Sequence, residues 1–129
     1  MSLPALGIDI SKLKFDSCLV RDSGKLRHKV FPNSPASYAQ LSSWLEKHKA
    51  ARAHACLEAT GTYGDELAAY LNGLGHVVSV VNPAAIKAFA QSQLSRTKTD
   101  KADATVIAAF CSERRPPAWR PPAPELREL

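Results

Sequence analysis

Four carboxylates stand where solvent does not explain them. Asp9 interrupts the apolar run Leu6-Gly7-Ile8-Asp9-Ile10, where a central strand should be buried. Glu58 follows Leu57 at the end of another apolar stretch, beside the small-residue turn Ala59-Thr60-Gly61. Asp100 and Asp103 are three apart, which on a helix puts both on one face, and that face runs on through Val106, Ile107 and Phe110. Unpaired buried carboxylates are costly, so a core-facing stripe rarely carries them without a partner. The other acids have plainer reasons. Asp22, Glu46, Glu113, Glu125 and Glu128 fall in turns, on helix surfaces or in the C-terminal stretch, and Asp65 and Glu66 suit the first turn of a helix. Taken singly, Asp9 could be a strand-end aspartate, Glu58 a cap, and Asp100 and Asp103 decoration of a helix N-terminus.

Brought into one cleft, four carboxylates repel by several kcal/mol per close pair and need cations. Oxygen donors without His or Cys favour a hard divalent ion, Mg²⁺ or Mn²⁺. A pair of such ions can activate an attacking oxygen and stabilise a leaving one in phosphodiester displacement. Arg96, Lys98 and Lys101 surround the last acidic pair, and Lys12 follows Asp9 closely. Basic groups beside an acidic pair suit a phosphate backbone, with a solvated basic loop as the equal alternative. The formal charge of +5 points weakly the same way.

The elements that must position these residues follow from periodicity. Residues 6–10 read as a strand, 13–20 alternate with period 2, and 25–31 alternate again after the turn Asp22-Ser23-Gly24. Ser34 and Pro35 open a helix carrying Tyr38, Leu41, Trp44 and Leu45 on one face, so the two aromatics belong to a core and not to base stacking. A strand over 52–59, a helix over 61–74 and a β-branched strand over 76–81 come next. Asn82-Pro83 opens a helix with Ile86 and Phe89, and Thr99 can cap the last. Three antiparallel strands followed by strands alternating with helices imply an α/β fold, a mixed five-stranded sheet with helices on both faces. The order suits a ribonuclease H-like fold and equally the halves of actin-like ATPases.

The 129 residues, 45% hydrophobic, suffice for one domain over 1–112. From 113 to 129 the chain holds five of its nine prolines and reads as a Pro-rich tether towards an absent C-terminal domain, with a loose native C-terminus as the equal alternative. No apolar run approaches the roughly 20 residues of a membrane span, and the N-terminus lacks a signal-peptide pattern. Cys18, Cys56 and Cys111 are odd in number and scattered, and His28, His48, His54 and His76 show no ligand spacing. Reduced thiols, a cytoplasmic setting and no zinc knuckle are expected.

Three blocks carry a family resemblance: Gly7-Ile8-Asp9-Ile10-Ser11-Lys12 with Phe15-Asp16, Glu58-Ala59-Thr60-Gly61-Thr62-Tyr63, and Arg96-Thr97-Lys98-Thr99-Asp100-Lys101-Ala102-Asp103-Ala104. In this order they resemble the N-terminal domain of the DEDD insertion-sequence transposases of the IS110 type, related to the Piv DNA invertase. The resemblance implies a RuvC-like domain whose metal tetrad is Asp9, Glu58, Asp100 and Asp103. It also implies Mg²⁺ or Mn²⁺, DNA at insertion-sequence ends as substrate, a structured guide RNA, a homo-oligomeric full-length protein, and a second domain with a catalytic serine. Without that serine, residues 1–129 are expected to be inactive in recombination. The rivals are a stand-alone RuvC-like junction resolvase or nuclease, an actin-like ATP-binding half, and a non-catalytic nucleic-acid-binding module.

Overall fold

A computed structural model describes residues 3–21, 24–59, 61–92 and 103–119. Strands β1 (Ala5–Ile10), β2 (Lys14–Val20) and β3 (Leu26–Pro32) form an antiparallel meander in which Gly7 lies opposite Cys18 and Asp9 opposite Asp16. On the other side of β1, β4 (His54–Glu58) runs parallel with Gly7 level with Cys56, and β5 (Val77–Val81) runs parallel to β4. The sheet order is β3-β2-β1-β4-β5. The mixed sheet predicted from the alternation is the one formed, with β1 and β4 as its buried centre.

Helices cover both faces. The inward stripes of α1 (Pro35–Lys47) and α2 (Asp65–Gly73), through Leu41, Leu45, Leu67 and Leu71, meet Leu6, Ile8, Phe15, Leu19 and Leu57 on one face. The other face carries α3 (Pro83–Ser92) and α4 (Asp103–Arg114), whose Ile86, Ile107 and Cys111 pack on Ala5, Cys56 and Val81. Asn82 caps α3 as expected, its Oδ1 accepting the Ala84 amide at 2.7 Å. Ser34 holds the N-cap position of α1, but its hydroxyl meets Ser37 Oγ at 3.2 Å and caps no amide.

Two departures have physical reasons. The helix expected from residue 61 begins at Asp65, because Gly61 takes a left-handed φ of 76° and turns the chain first. On α4 the fully buried surface is Ala104, Ile107, Ala108 and Cys111, so Ile107 faces inward as expected while Val106 and Phe110 are only partly buried at the margin. Phe110 instead meets Phe89 of α3 edge-on at 5.5 Å. Small residues are required there, since a Cβ on Gly7 would overlap the Ala108 nitrogen and the Ala104 carbonyl oxygen. The proposed cap Thr99 lies outside the described residues. Beyond α4, residues placed above in the tether run along the β5 edge: Trp119 donates its amide to the Val78 carbonyl at 2.6 Å and packs on the core. No helix among the described residues is long and apolar enough to cross a membrane.

Candidate metal centre at the sheet edge

Strands β1 and β4 end at the same edge. The register that sets Ile8 level with Leu57 puts Asp9 level with Glu58 one residue later. Strand alternation fixes their face. Ala5 and Gly7 of β1 and Cys56 of β4 lie against α4, so Asp9 and Glu58 stand on that same side of the sheet. Both are half-buried.

The direction of α4 completes the arrangement. Cys111 reaches the His54 carbonyl at the start of β4, while Ala104 and Ala108 lie over Gly7 in mid-β1. The helix therefore runs antiparallel to β1 and β4, and its first residue, Asp103, arrives at the edge where Asp9 and Glu58 end. The positive end of the α4 dipole comes to the same edge, where it favours negative charge. The Asp103 side chain lies outside the described residues, as do Asp100, Arg96, Lys98 and Lys101. Lys12 is in the exposed turn between β1 and β2, at this edge of the sheet.

One further acid belongs to this edge. Asp16 lies directly opposite Asp9 on β2, hence on the same face, with Lys14 Nζ at 3.6 Å. Like charges directly opposed across a ladder destabilise it, which a nearby cation would relieve. The period-2 pattern of residues 13–20 and the block Phe15-Asp16 give Asp16 no site role, and the register with β1 reveals its place. Asn33 ties the loops at this edge together. Its Nδ2 donates to the carbonyls of Ser11 at 3.0 Å and Tyr63 at 3.3 Å, and its Oδ1 accepts from Tyr38. A cleft of about 170 Å³ opens beside Glu58 between Ala59, Gly64, Asp65 and Trp119.

A family model described as a transposase, of the DEDD IS110 type, matches residues 6–129. The chain belongs to this transposase family. Two curated relatives are pilin gene-inverting proteins, from Moraxella bovis at 38% identity and from Moraxella lacunata at 37%, each over 94% of this chain. The chain spans only 38% of the length of each. Among solved structures, Thermus thermophilus RuvC matches with a TM-score of 0.58 at 14% identity, covering 88% of this chain and 97% of that one. At that identity the likeness concerns the fold, which is the ribonuclease H-like one expected.

On the same face as the acids, this transposase domain gathers a group that the sequence analysis did not find. His54, Cys56 and Cys111 are all buried, and their ligand-type atoms lie within 4.8 Å of one another. Cys111 Sγ donates to the His54 carbonyl at 3.3 Å. A hydrogen bond from the Cys56 thiol pulls the Cys111 thiol down, and losing that bond on ionisation pushes Cys56 up. The scattered spacing argued against any Cys/His cluster. A signal was nevertheless present: His-x-Cys on a strand puts both side chains on one face, and Cys111 continues the α4 stripe four residues after Ile107.

Proposed function

We propose that this domain is the metal-dependent catalytic part of a DNA transposase or recombinase, with Asp9, Glu58, Asp100 and Asp103 holding Mg²⁺ or Mn²⁺. The observation that carries the reading is the level placement of Asp9 and Glu58 at the ends of adjacent parallel strands, under the N-terminus of the helix that Asp103 begins. The donor set fits a hard divalent cation, since every one of these residues offers carboxylate oxygen. When bound, such ions supply Lewis-acid stabilisation to a phosphodiester displacement.

The chain's own residues then divide the work. Asp9, on the strand between β2 and β4, would hold the ions together with Glu58 and Asp103. Asp100 would ligate an ion or orient a water. Lys12, Arg96, Lys98 and Lys101 hold the phosphate backbone and set the strand against the acids. For the full-length protein, DNA as the substrate is supported by family membership and by the inverting proteins it resembles, and insertion-sequence ends, a structured guide RNA and a homo-oligomer belong to the same reading.

Thermal denaturation with increasing Mn²⁺ tests this. Binding to the folded state alone stabilises by about 2.7 kcal/mol at a hundred times Kd, so the midpoint should rise steadily. Asp9→Asn should fold and lose that rise. A wild-type midpoint indifferent to Mn²⁺ and Mg²⁺ overturns the proposal. Tetrad-dependent cleavage of a four-way junction by residues 1–129 alone would transfer the site to a stand-alone resolvase.

A further inference from the structure

We infer that His54, Cys56 and Cys111 form a second metal site, specific for a thiophilic ion of the Zn²⁺ class, that fastens α4 to β4. The site is separate from the acidic edge and does not depend on what that edge binds.

The donor atoms are already gathered. In a tetrahedral zinc site, with metal–sulfur bonds of about 2.3 Å and metal–nitrogen bonds of about 2.0 Å, neighbouring ligand atoms sit roughly 3.3–3.8 Å apart. The three atoms here lie within 4.8 Å of one another, so capture needs a closure of about an ångström. Two thiolates and a neutral imidazole around Zn²⁺ make a group of zero net charge. Such a group can stay in this buried position, whereas two bare thiolates could not. Binding releases the two thiol protons to solvent. Mg²⁺ has no claim on sulfur donors.

Hydrogen accounting fixes the imidazole. Ser79 Oγ donates its one proton towards the carbonyls of Pro116 at 3.0 Å and Pro117 at 2.9 Å. The contact between His54 Nε2 and Ser79 Oγ, at 2.8 Å, then takes its proton from Nε2. The neutral ring therefore keeps its lone pair on Nδ1, so Nδ1 is the atom that would bind the ion, with Ser79 as the outer partner that orients the ring.

The ion would have a mechanical consequence. Over Gly7 of β1, α4 docks through Ala104 and Ala108, which bury little side-chain surface beside the one large buried side chain, Ile107, and Cys111 stands near its far end. A bond through the ion from Cys111 to His54 and Cys56 locks the helix in register with β4. That lock sets where Asp103, at the head of α4, arrives relative to Glu58, two residues after Cys56.

The test is an anaerobic titration of the reduced chain, residues 1–129, with Co²⁺ followed by Zn²⁺. One equivalent of Co²⁺ should give the thiolate-to-cobalt charge-transfer absorption and the strong visible bands of a tetrahedral site whose fourth ligand is a water. Zn²⁺ should displace it, and excess Mg²⁺ should not. Cys56→Ser and Cys111→Ser should abolish the bands, and Cys18→Ser should keep them. X-ray absorption of the zinc-loaded wild type reads the ligands without any variant: two sulfurs and an imidazole nitrogen are expected, and a shell of oxygen and nitrogen alone overturns the site. A wild-type chain that binds no Co²⁺, or that takes up no Zn²⁺ yet forms a Cys56–Cys111 disulfide in air, overturns it in favour of inert packing or a redox pair.

Discussion

At the scale of single residues, the acidic edge is a matter of charge held against its own repulsion. Asp9 faces Asp16 across one ladder and stands level with Glu58 across the other. Opposed like charges of this kind cost about 0.2–1 kcal/mol each. Asp9→Asn should therefore leave the metal-free fold as stable as the wild type or slightly more so. Denaturant unfolding checks this: a loss above about 1 kcal/mol would mean that Asp9 is a structural hydrogen-bonding residue and not a metal ligand. Ser79 works through His54. Removing an outer hydrogen bond from a metal-bound histidine weakens binding by roughly ten- to a hundredfold, so Ser79→Ala should loosen Zn²⁺ by that factor in a chelator competition. An unchanged affinity would show that Nδ1 needs no such partner.

At the scale of elements, the meeting of α4 with β1 is the joint on which the edge depends. Gly7→Ala drives a methyl group into the helix backbone at Ala104 and Ala108, and the backbone cannot rotate away. Overpacking of this kind costs about 1–3 kcal/mol, and here it should also shift α4 outward. Thermal unfolding should show the loss. A wild-type midpoint in Gly7→Ala would mean that α4 docks less closely than the structure has it. The joint between the starts of β4 and β5 is of a different kind. His76 is buried, with its Nδ1 accepting the Ala53 amide at 3.0 Å. Burial, with Arg52 nearby, pulls His76 below its ordinary value of 6.5, and a bare Nδ1 suits the neutral ring. The unfolded chain thus binds the proton first, and stability falls as pH drops below about 6.5. The slope of stability against pH between 7 and 5 should be shallower in His76→Gln, although that variant loses the Ala53 bond and starts lower. An identical slope would place the acid sensitivity elsewhere.

At the scale of the whole molecule, the charge of +5 has to be reconciled with an acidic edge. On the proposed reading, basic side chains steer polyanions to the edge, while the acids there reject them unless cations intervene. DNA binding should accordingly strengthen with Mg²⁺ and weaken with monovalent salt. For each phosphate that a basic side chain no longer neutralises, the slope of log affinity against log salt should become shallower by about 0.9 on duplex. The quadruple change of Lys12, Arg96, Lys98 and Lys101 to Ala is expected to remove most of the slope in a fluorescence-anisotropy titration. A slope unaltered by it would assign these side chains to solvent. RuvC shares this fold at 14% identity, which illustrates how little sequence the architecture itself demands.

The sequence by itself determined the elements, because their signals are local. Alternation over 13–20 and 25–31, the small-residue turn after Glu58 and the cap at Asn82 each act within a few residues. It also singled out Asp9 and Glu58, since a charge inside an apolar run is conspicuous at any distance. Tertiary structure decided what register and docking decide. Whether Asp16 matters depends on which residue of β1 it opposes. Which face of α4 meets β1 was settled by the space that Gly7 leaves, so Ala104 and Ala108 lie there beside the expected Ile107, while Val106 and Phe110 pack at the margin of the core. The same docking brings Cys111 to His54 and Cys56 from more than fifty residues away. Spacing along the chain is blind to such a meeting, because the distance between a strand and a helix in sequence carries no information about their distance across a core.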